Sequence, residues 1–216
     1  MIKAVIFDFD LTIANTFFAV KKGVEILSEH FGKPMPSDSE IYAMIGLPLN
    51  DCWKKLWGYF DPAWLEYFSE VYRPHQADLF ELFPDTEETL SALKASGIAL
   101  GIVTNRHFIK SCLEKLKITD YFSVAIGAEE MRHPKPHPES LFTAMKLLGV
   151  DKNETLYVGD TDIDMKTATA AGVTPVGVAQ GHFDRDMLKA VGAKYALPSI
   201  SGLKKLIAEL QDGDRK

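Results

Sequence analysis

The chain contains few cysteines and no long hydrophobic run. Its two cysteines, Cys52 and Cys112, lie far apart in no Cys-x-x-Cys or Cys/His spacing. Neither a disulfide framework nor a zinc site is therefore predicted, and both cysteines are expected to be reduced packing residues. The longest apolar run, residues 98–103, is about a third of what a membrane-spanning helix needs. We therefore expect no transmembrane segment.

Basic residues are also scarce. The 24 Lys and Arg stand against 30 Asp and Glu, for a net charge of −6, and no Lys/Arg-rich block is present. We therefore expect neither nucleic acid nor an anionic membrane as a partner. The N-terminus, Met-Ile-Lys, enters strand-like sequence without the basic, apolar and small-residue succession of a secretory signal. The expected compartment is the cytoplasm.

The sequence does contain enough apolar residues for a large core. Its 216 residues are 46% hydrophobic and 25% charged, close to the averages of globular proteins. Disordered, collagen-like and coiled-coil classes are excluded by this composition. The length suits one large domain, or a domain of about 150 residues that carries a smaller insertion.

Short β-branched runs, each followed by a helical pattern, predict an α/β fold with a doubly wound parallel sheet of about five strands. The runs are nearly all apolar, as expected of strands that are buried on both faces. The predicted strands are residues 4–7, 98–103, 124–126, 156–158 and 173–178.

The first two predicted strands lie about 90 residues apart, far more than one crossover helix needs. The additional residues between these two strands have a helical pattern. They include a capping box at Ser37 and Glu40 and a helix start at Asp61-Pro62. All three tryptophans lie there, and we interpret them as the core of a small helical unit. We predict a core domain of residues 1–15 and 81–216 and an inserted helical cap of residues 16–80.

Polar residues follow the ends of the predicted strands, which is where ligands bind in open parallel sheets. Asp8 and Asp10 follow the first strand. Because side chains alternate between the two faces of a strand, residues two apart point to the same side, so both carboxylates are expected on one side. Thr104 and Asn105 follow the second strand. Because buried, unpaired carboxylates are costly, the first strand end is expected to carry a cation or a network of charged partners.

Three further charged residues complete this pattern. Asp160 and Asp164 are four residues apart at a predicted helix start, so they share one face of that helix. Lys135 lies between two prolines, Pro134 and Pro136, which stiffen its loop and favour a fixed position for its ammonium group.

Together these residues suit a site for Mg²⁺ and a phosphate. Carboxylates hold Mg²⁺ through oxygen ligands, while the Thr12 and Thr104 hydroxyls, the Lys135 ammonium and nearby backbone N–H groups can hold phosphate. Two unit charges about 4 Å apart repel by roughly 4 kcal/mol at an effective dielectric of about 20. A phosphate dianion therefore needs Mg²⁺ and Lys135 to approach Asp8. The array suits an aspartate that attacks phosphorus while a second carboxylate handles protons.

In order and spacing, four groups of residues resemble the four motifs of the haloacid dehalogenase superfamily. The position of the insertion and the run Gly46-Leu47-Pro48-Leu49 are similar to its phosphoglycolate phosphatase-like and β-phosphoglucomutase-like branch, which has a helical cap. The four groups are Asp8-Phe9-Asp10-x-Thr12, Thr104-Asn105, Lys135-Pro136 and Gly159-Asp160-x3-Asp164.

This resemblance implies a Mg²⁺-dependent phosphatase that hydrolyses a small, phosphoglycolate-like metabolite through an aspartyl-phosphate. It assigns Asp8 as the nucleophile and Asp10 as the general acid and base, with the Asp10 backbone carbonyl on the metal. The resemblance further assigns phosphoryl binding to Thr12, Thr104, Asn105 and Lys135. It assigns metal binding to Asp8, Asp10 and Asp160, and a role in supporting this site to Asp164.

Two positions depart from the family pattern. Leu11 stands where the family usually has Gly. We expect it to adopt an ordinary conformation in a slightly altered loop, since positive φ would cost Leu about 1 to 2 kcal/mol. Asn15-Thr16 replaces the usual Asp-Ser, so the contacts between core and cap are expected to differ in detail from those of the family.

The position of Arg106, directly after Thr104-Asn105, allows two interpretations: it either reaches the opening of the substrate site or lies on the surface. The six histidines show no ligand spacing.

Several other activities share part of this pattern. A sugar-phosphate mutase of the β-phosphoglucomutase type shares all four motifs and the cap, so motifs do not separate it from a phosphatase. Asp10 and the pair of Asp160 and Asp164 argue against a true haloacid dehalogenase. A phosphonatase needs a cap lysine, for which no pattern stands out. A phospho-accepting receiver module has its acceptor aspartate in mid-domain and no cap, whereas Asp8 follows the first predicted strand and a cap is predicted here.

The sequence leaves the substrate open. It also leaves the oligomeric state open, with a homodimer as one alternative.

Overall fold

The computed structural model describes residues 1–213, in which parallel strands form a central sheet with helices on both faces. The strands are β1 (Ala4–Phe7), β2 (Ala14–Asn15), β3 (Glu81–Leu82), β4 (Ala99–Val103), β5 (Val124–Ile126), β6 (Thr155–Gly159), β7 (Thr174–Val178) and β8 (Tyr195–Leu197). The helices are α1 (Phe17–Phe31), α2 (Asp38–Met44), α3 (Leu49–Trp57), α4 (Pro62–Tyr67), α5 (Arg73–Gln76), α6 (Thr86–Ala95), α7 (Ile109–Lys115), α8 (Glu139–Leu148), α9 (Asp162–Ala171), α10 (Arg185–Ala190) and α11 (Leu203–Gly213).

The main sheet has the order β5-β4-β1-β6-β7-β8. The central strand β1 pairs in parallel with β4 on one side and β6 on the other. The predicted α/β class is confirmed. The sheet has six strands rather than about five, because β8 forms an additional edge strand of three half-buried residues.

Burial on both faces explains why β1 is entirely apolar. Val5 and Phe7 belong to a hydrophobic cluster with residues of α6 and α11, whereas Ile6 belongs to a cluster with residues of α8 and α9. Successive strand residues point to opposite faces, so every position of β1 must be apolar. All four are fully buried.

Helices α1 to α5 and a π-helical turn (Phe68–Tyr72) follow β2 and precede β3. They surround an aromatic cluster that includes Trp53, Trp64 and Phe68. The capping box at Ser37 and the helix start at Asp61 are confirmed. β2 and β3 pair with each other in antiparallel fashion, so the chain enters and leaves this helical segment side by side. The domain boundaries at residues 15 and 81 remain a prediction.

The expected ordinary conformation of Leu11 is wrong. Its φ is 55°, in the left-handed region. Its N–H donates to the Ala14 carbonyl at 2.8 Å and closes a tight loop after β1. The Leu11 side chain is 2% exposed and packs into the aromatic cluster. Burying a leucine is worth about 1.5–3 kcal/mol, enough to offset strain of about 1–2 kcal/mol.

Both cysteines, Cys52 and Cys112, are buried and unpaired, which confirms the prediction that they are packing residues. Along residues 1–213, none of the helices combines the length and apolar character that a bilayer crossing requires.

Candidate active site

The predicted site residues lie at the carboxyl end of β1. The chain proceeds from β1 to β4 and β5 on one side and then to β6, β7 and β8 on the other. This reversal is where open α/β sheets form a ligand crevice. The residues gathered there, all 6% exposed or less, are Asp8, Asp10, Thr12, Thr104, Asn105, Lys135, Asp160 and Asp164.

Lys135 is the buried cation of the site. Its Nζ lies 2.8 Å from Asp8 Oδ1, 2.7 Å from Asp164 Oδ1 and 2.9 Å from the Tyr157 hydroxyl. Although burial opposes it, the negative charges of Asp164 and Asp8 raise the pKa of Lys135 well above its ordinary value. The ammonium is therefore charged and ties two carboxylates together. Sequence reasoning missed Tyr157, which lies mid-strand in an apolar run.

Asn105 holds the loop that carries Lys135. Its Oδ1 accepts the Lys135 backbone N–H at 2.8 Å, and its Nδ2 donates to the Lys135 carbonyl at 3.2 Å. The same Nδ2 donates to the Gly46 carbonyl at 2.9 Å. Both ends of the Asn105 side chain are thus engaged in hydrogen bonds within the protein. The contact with Gly46 also joins the core to the helical segment.

Three carboxylates form a potential metal cluster. One oxygen each of Asp8, Asp160 and Asp164 lie within 4.8 Å of one another. Burial raises the pKa of Asp8 to about 6, against the opposing charge of Lys135. Burial also raises the pKa of Asp160 well above its ordinary value. When all three carboxylates are ionised, the cluster holds more negative charge than the single ammonium of Lys135 offsets.

An orphaned oxygen shows where a cation fits. Asp160 Oδ2 is buried and has no hydrogen-bond partner among the described residues. A Cβ at Gly181 would lie 2.0 Å from this oxygen, so the glycine keeps the adjoining space open. Mg²⁺ prefers oxygen ligands, and an unpaired buried carboxylate oxygen is costly. The donor set therefore fits Mg²⁺.

Asp164 and Thr12 complete this cluster. Asp164 Oδ2 accepts hydrogen bonds from the Thr161 N–H at 3.1 Å and hydroxyl at 2.7 Å, so Asp164 also caps α9. A Cβ at Gly159 would lie 2.3 Å from Asp164 Cγ, which explains the glycine at the end of β6. The Thr12 hydroxyl donates to Asp160 Oδ1 at 3.3 Å, so Thr12 orients a carboxylate.

Asp10 has different partners. Its carboxylate accepts the Thr16 hydroxyl at 2.6 Å. Arg106 Nε lies 3.0 Å and 2.9 Å from its two oxygens, and Arg106 Nη2 forms an ion pair with it. Arg106 is 10% exposed and also donates to Gln76, so it belongs to the site rather than to the surface. The sequence indicates Arg106 by its position directly after Thr104-Asn105, and it indicates Thr16 only as a departure from the family pattern.

A cavity of about 380 Å³ lies beside Asp10, between the sheet and the helical segment. Its walls are largely apolar, but two arginines, Arg73 and Arg106, line it. The Arg73 guanidinium lies over the rings of Phe68 and Phe108 at 5.4 and 5.3 Å, and its Nη2 is buried with no hydrogen-bond partner among the described residues. The cavity is thus apolar with two cationic groups, and sequence reasoning missed Arg73.

A family model described as "Haloacid dehalogenase-like hydrolase" matches residues 5–178. The chain belongs to this family. The match spans all four groups of site residues, so the predicted superfamily is confirmed.

Relatives agree with this assignment. A protein named probable phosphatase IndB, from Dickeya dadantii, is 33% identical over 91% of this chain and 95% of its own length. Phosphoglycolate phosphatase from Salmonella paratyphi A is 45% identical over 47% of this chain, and the chain spans 41% of that relative. The names of these relatives support the predicted class of enzyme, a phosphatase of the family.

Solved structures share the fold. A haloacid dehalogenase-like hydrolase from Bacteroides fragilis has a TM-score of 0.85 at 32% identity and covers 94% of this chain and 100% of its own. β-Phosphoglucomutase from Clostridium difficile has a TM-score of 0.83 at 19% identity, with all of both chains covered, which shows a common fold alone.

Proposed function

We propose that this hydrolase is a Mg²⁺-dependent phosphatase that acts on a small phosphorylated metabolite through a phosphorylated Asp8. The observation that carries the proposal is the position of Asp8 at the end of the central strand, bound by Lys135 and beside Asp160 and Asp164. Residues 16–80 form the cap over this site in the proposal.

Asp8, Asp160 and the Asp10 backbone carbonyl are the proposed Mg²⁺ ligands, and Asp164 supports them. When bound, the ion neutralises negative charge on the carboxylates and on the phosphoryl oxygens. The orphaned Asp160 Oδ2 supports this role. Lys135 provides the second positive charge, which lets a phosphate dianion approach Asp8.

Asp8 performs the attack in this proposal. Lys135 binds Oδ1 of Asp8, which leaves Oδ2 to form a bond to phosphorus as the bond to the leaving oxygen breaks. Thr104, buried at the end of β4, and Lys135 contact the phosphoryl oxygens. Water then attacks phosphorus, releases inorganic phosphate and restores the Asp8 carboxylate.

Asp10 transfers the protons. It gives a proton to the leaving alkoxide and later takes one from the attacking water. Thr16 and Arg106 fix the orientation of its carboxylate. Asp8 is bound by Lys135 and Asp10 by Arg106 and Thr16, so these two aspartates, only two residues apart, have different surroundings.

Two variants test the assignment with p-nitrophenyl phosphate. Asp8→Asn lacks the attacking oxygen, so activity is expected at background with no phosphoenzyme. Asp10→Asn retains the nucleophile, and this leaving group needs little proton donation. We expect a burst of p-nitrophenol approaching one equivalent, then a steady rate lower by about 10²- to 10⁴-fold.

The controls for this experiment are the unmodified protein with Mg²⁺, with EDTA, and with Mg²⁺ restored. EDTA is expected to abolish turnover. Repeated turnover separates an enzyme from a receiver module, which is phosphorylated once. With a sugar phosphate as substrate, a phosphatase releases inorganic phosphate, whereas a mutase transfers the phosphoryl group to a sugar hydroxyl. A burst by Asp8→Asn, or full activity in EDTA, contradicts the proposal.

The Arg73 guanidinium in the cavity favours a substrate with a second anionic group, such as the carboxylate of phosphoglycolate, whereas Arg106 is already paired with Asp10. Arg73 has an unpaired buried Nη2, and guanidinium groups bind carboxylates in bidentate fashion. We expect Arg73→Gln to raise KM for phosphoglycolate by about tenfold or more and to leave KM for p-nitrophenyl phosphate nearly unchanged. The control is Arg185→Gln, at an exposed arginine. Equal effects on both substrates contradict recognition by Arg73.

A further inference from the structure

Two histidines and a glutamate meet on the outer side of the Lys135 loop. One ligand atom each of His133, His137 and Glu139 lie within 4.8 Å of one another. His133 Nδ1 is 2.5 Å and His137 Nδ1 is 4.0 Å from the same oxygen, Glu139 Oε2. The side chains of the two histidines are 56% and 51% exposed, so ions in solution can reach them.

The donor set differs from that of the carboxylate cluster. Two imidazoles and one carboxylate are a common zinc ligand set, which leaves a fourth position for water. With metal–ligand distances of about 2.0–2.2 Å, tetrahedral ligand atoms lie roughly 3.3–3.6 Å apart. The observed separations of 2.5 and 4.0 Å bracket this range, so small side-chain rotations suffice.

The site is also organised in advance. His133 and His137 flank Pro134-Lys135-Pro136, and Lys135 is anchored by Asp8 and Asp164. The Glu139 N–H donates to His137 Nδ1 at 3.3 Å, so this nitrogen acts as an acceptor, and a bound ion would take the place of that N–H. The fixed backbone reduces the ordering that metal binding requires.

We propose that His133, His137 and Glu139 bind Zn²⁺ at a site separate from the carboxylate cluster. Imidazole nitrogen favours Zn²⁺, whereas oxygen-only sites favour Mg²⁺. Zn²⁺ therefore binds outside the Lys135 loop while Mg²⁺ is held inside it. The ion replaces the hydrogen bond between His133 and Glu139 and keeps all three side chains in one arrangement.

Equilibrium dialysis of the whole protein with Zn²⁺ tests the proposal, in excess Mg²⁺ so that the carboxylate cluster is saturated. We expect one Zn²⁺ per chain, with the affinity lowered roughly tenfold or more in His133→Gln and in His137→Gln. Co²⁺ is expected to give the visible absorption of a tetrahedral site in the parent protein and not in the variants.

The matched control is His107→Gln. His107 Nδ1 contacts Glu129 Oε1 at 2.9 Å but belongs to no three-residue cluster among the described residues. The zinc affinity of the His107→Gln variant is expected to equal that of the parent protein. Circular dichroism confirms that each variant is folded. Absence of Zn²⁺ binding in excess Mg²⁺, or equal binding by the parent and both cluster variants, overturns the proposal.

Discussion

Leu11 combines a strained backbone with a buried side chain, and the two effects can be separated by substitution. Both Leu11→Ala and Leu11→Gly remove the packing, so each is expected to destabilise the protein by about 2–5 kcal/mol. Only Gly also removes the strain at φ 55°. We therefore expect Leu11→Gly to be more stable than Leu11→Ala by about 1 kcal/mol, measured by urea unfolding.

The control position is Ala208, an exposed residue in the middle of α11. There, Ala208→Gly is expected to lower the free energy of unfolding by about 0.5–1 kcal/mol. The glycine variant is thus expected to be more stable than the alanine variant at position 11, and less stable than alanine at the control position. If Leu11→Ala proves more stable than Leu11→Gly, the left-handed conformation is not a significant source of strain.

The candidate site divides into residues that the sequence predicts and residues that it does not. Asp8, Asp160 and Lys135 follow strand ends or a proline-stiffened loop, so their meeting follows from the topology of a parallel sheet. The contact of Asp10 with Thr16 and Arg106 depends on how the loop after β1 turns. That turn depends on the left-handed Leu11, which local propensity disfavours and tertiary packing imposes.

Asn105 joins three elements: the end of β4, the Lys135 loop and the loop at Gly46. Asn105→Ala leaves the buried Lys135 N–H without its partner, and each group left unpaired costs about 1–3 kcal/mol. We expect the free energy of unfolding to fall by about 2–4 kcal/mol and phosphatase activity to fall because Lys135 is no longer held in place.

Thermal unfolding and phosphatase assays measure both effects. The control is Asn153→Ala, at an exposed asparagine between α8 and β6. This variant is expected to match the parent within about 0.5 kcal/mol. If Asn105→Ala has the stability and activity of the parent protein, Asn105 does not hold the Lys135 loop in place.

Strands with long apolar runs and helices with clear caps are predictable from the sequence. The helix start predicted around Asp160 and Asp164 corresponds to the beginning of α9 (Asp162–Ala171). β8 escapes prediction because its three residues, Tyr195-Ala196-Leu197, include no β-branched side chain. β2 and β3 have two residues each, too few for any periodic signal, so their pairing is set by the segments that flank them.

The stability of the whole molecule depends on the charge of Asp8. Its pKa of about 6 in the metal-free protein lies above the ordinary value of 3.8, because burial penalises the carboxylate. Between these pH values the folded protein retains a proton that the unfolded chain has released. The contribution of Asp8 to the free energy of unfolding therefore falls as pH rises from about 4 to about 6.

Mg²⁺ binds the ionised carboxylate and competes with this proton. We expect Mg²⁺ to raise the melting temperature more at about pH 7.5 than at about pH 5, as measured by scanning fluorimetry. Asp8→Asn is the control, because it cannot ionise at this position and is expected to show a smaller difference between the two pH values. An equal Mg²⁺ effect at both pH values in the parent argues against a titrating Asp8 at the metal site.

The place of β1 at the centre of the sheet has a consequence for biosynthesis. β1 leaves the ribosome before both of its partners, because it pairs with β4 from Ala99 and with β6 from Thr155. At about 5–20 residues per second, the roughly 150 residues between β1 and β6 take about 8–30 s to synthesise. Throughout that time an all-apolar strand lacks one neighbour and is open to aggregation or to a chaperone. A nascent chain that stops short of Thr155 keeps that exposed edge and never assembles the cluster of buried carboxylates.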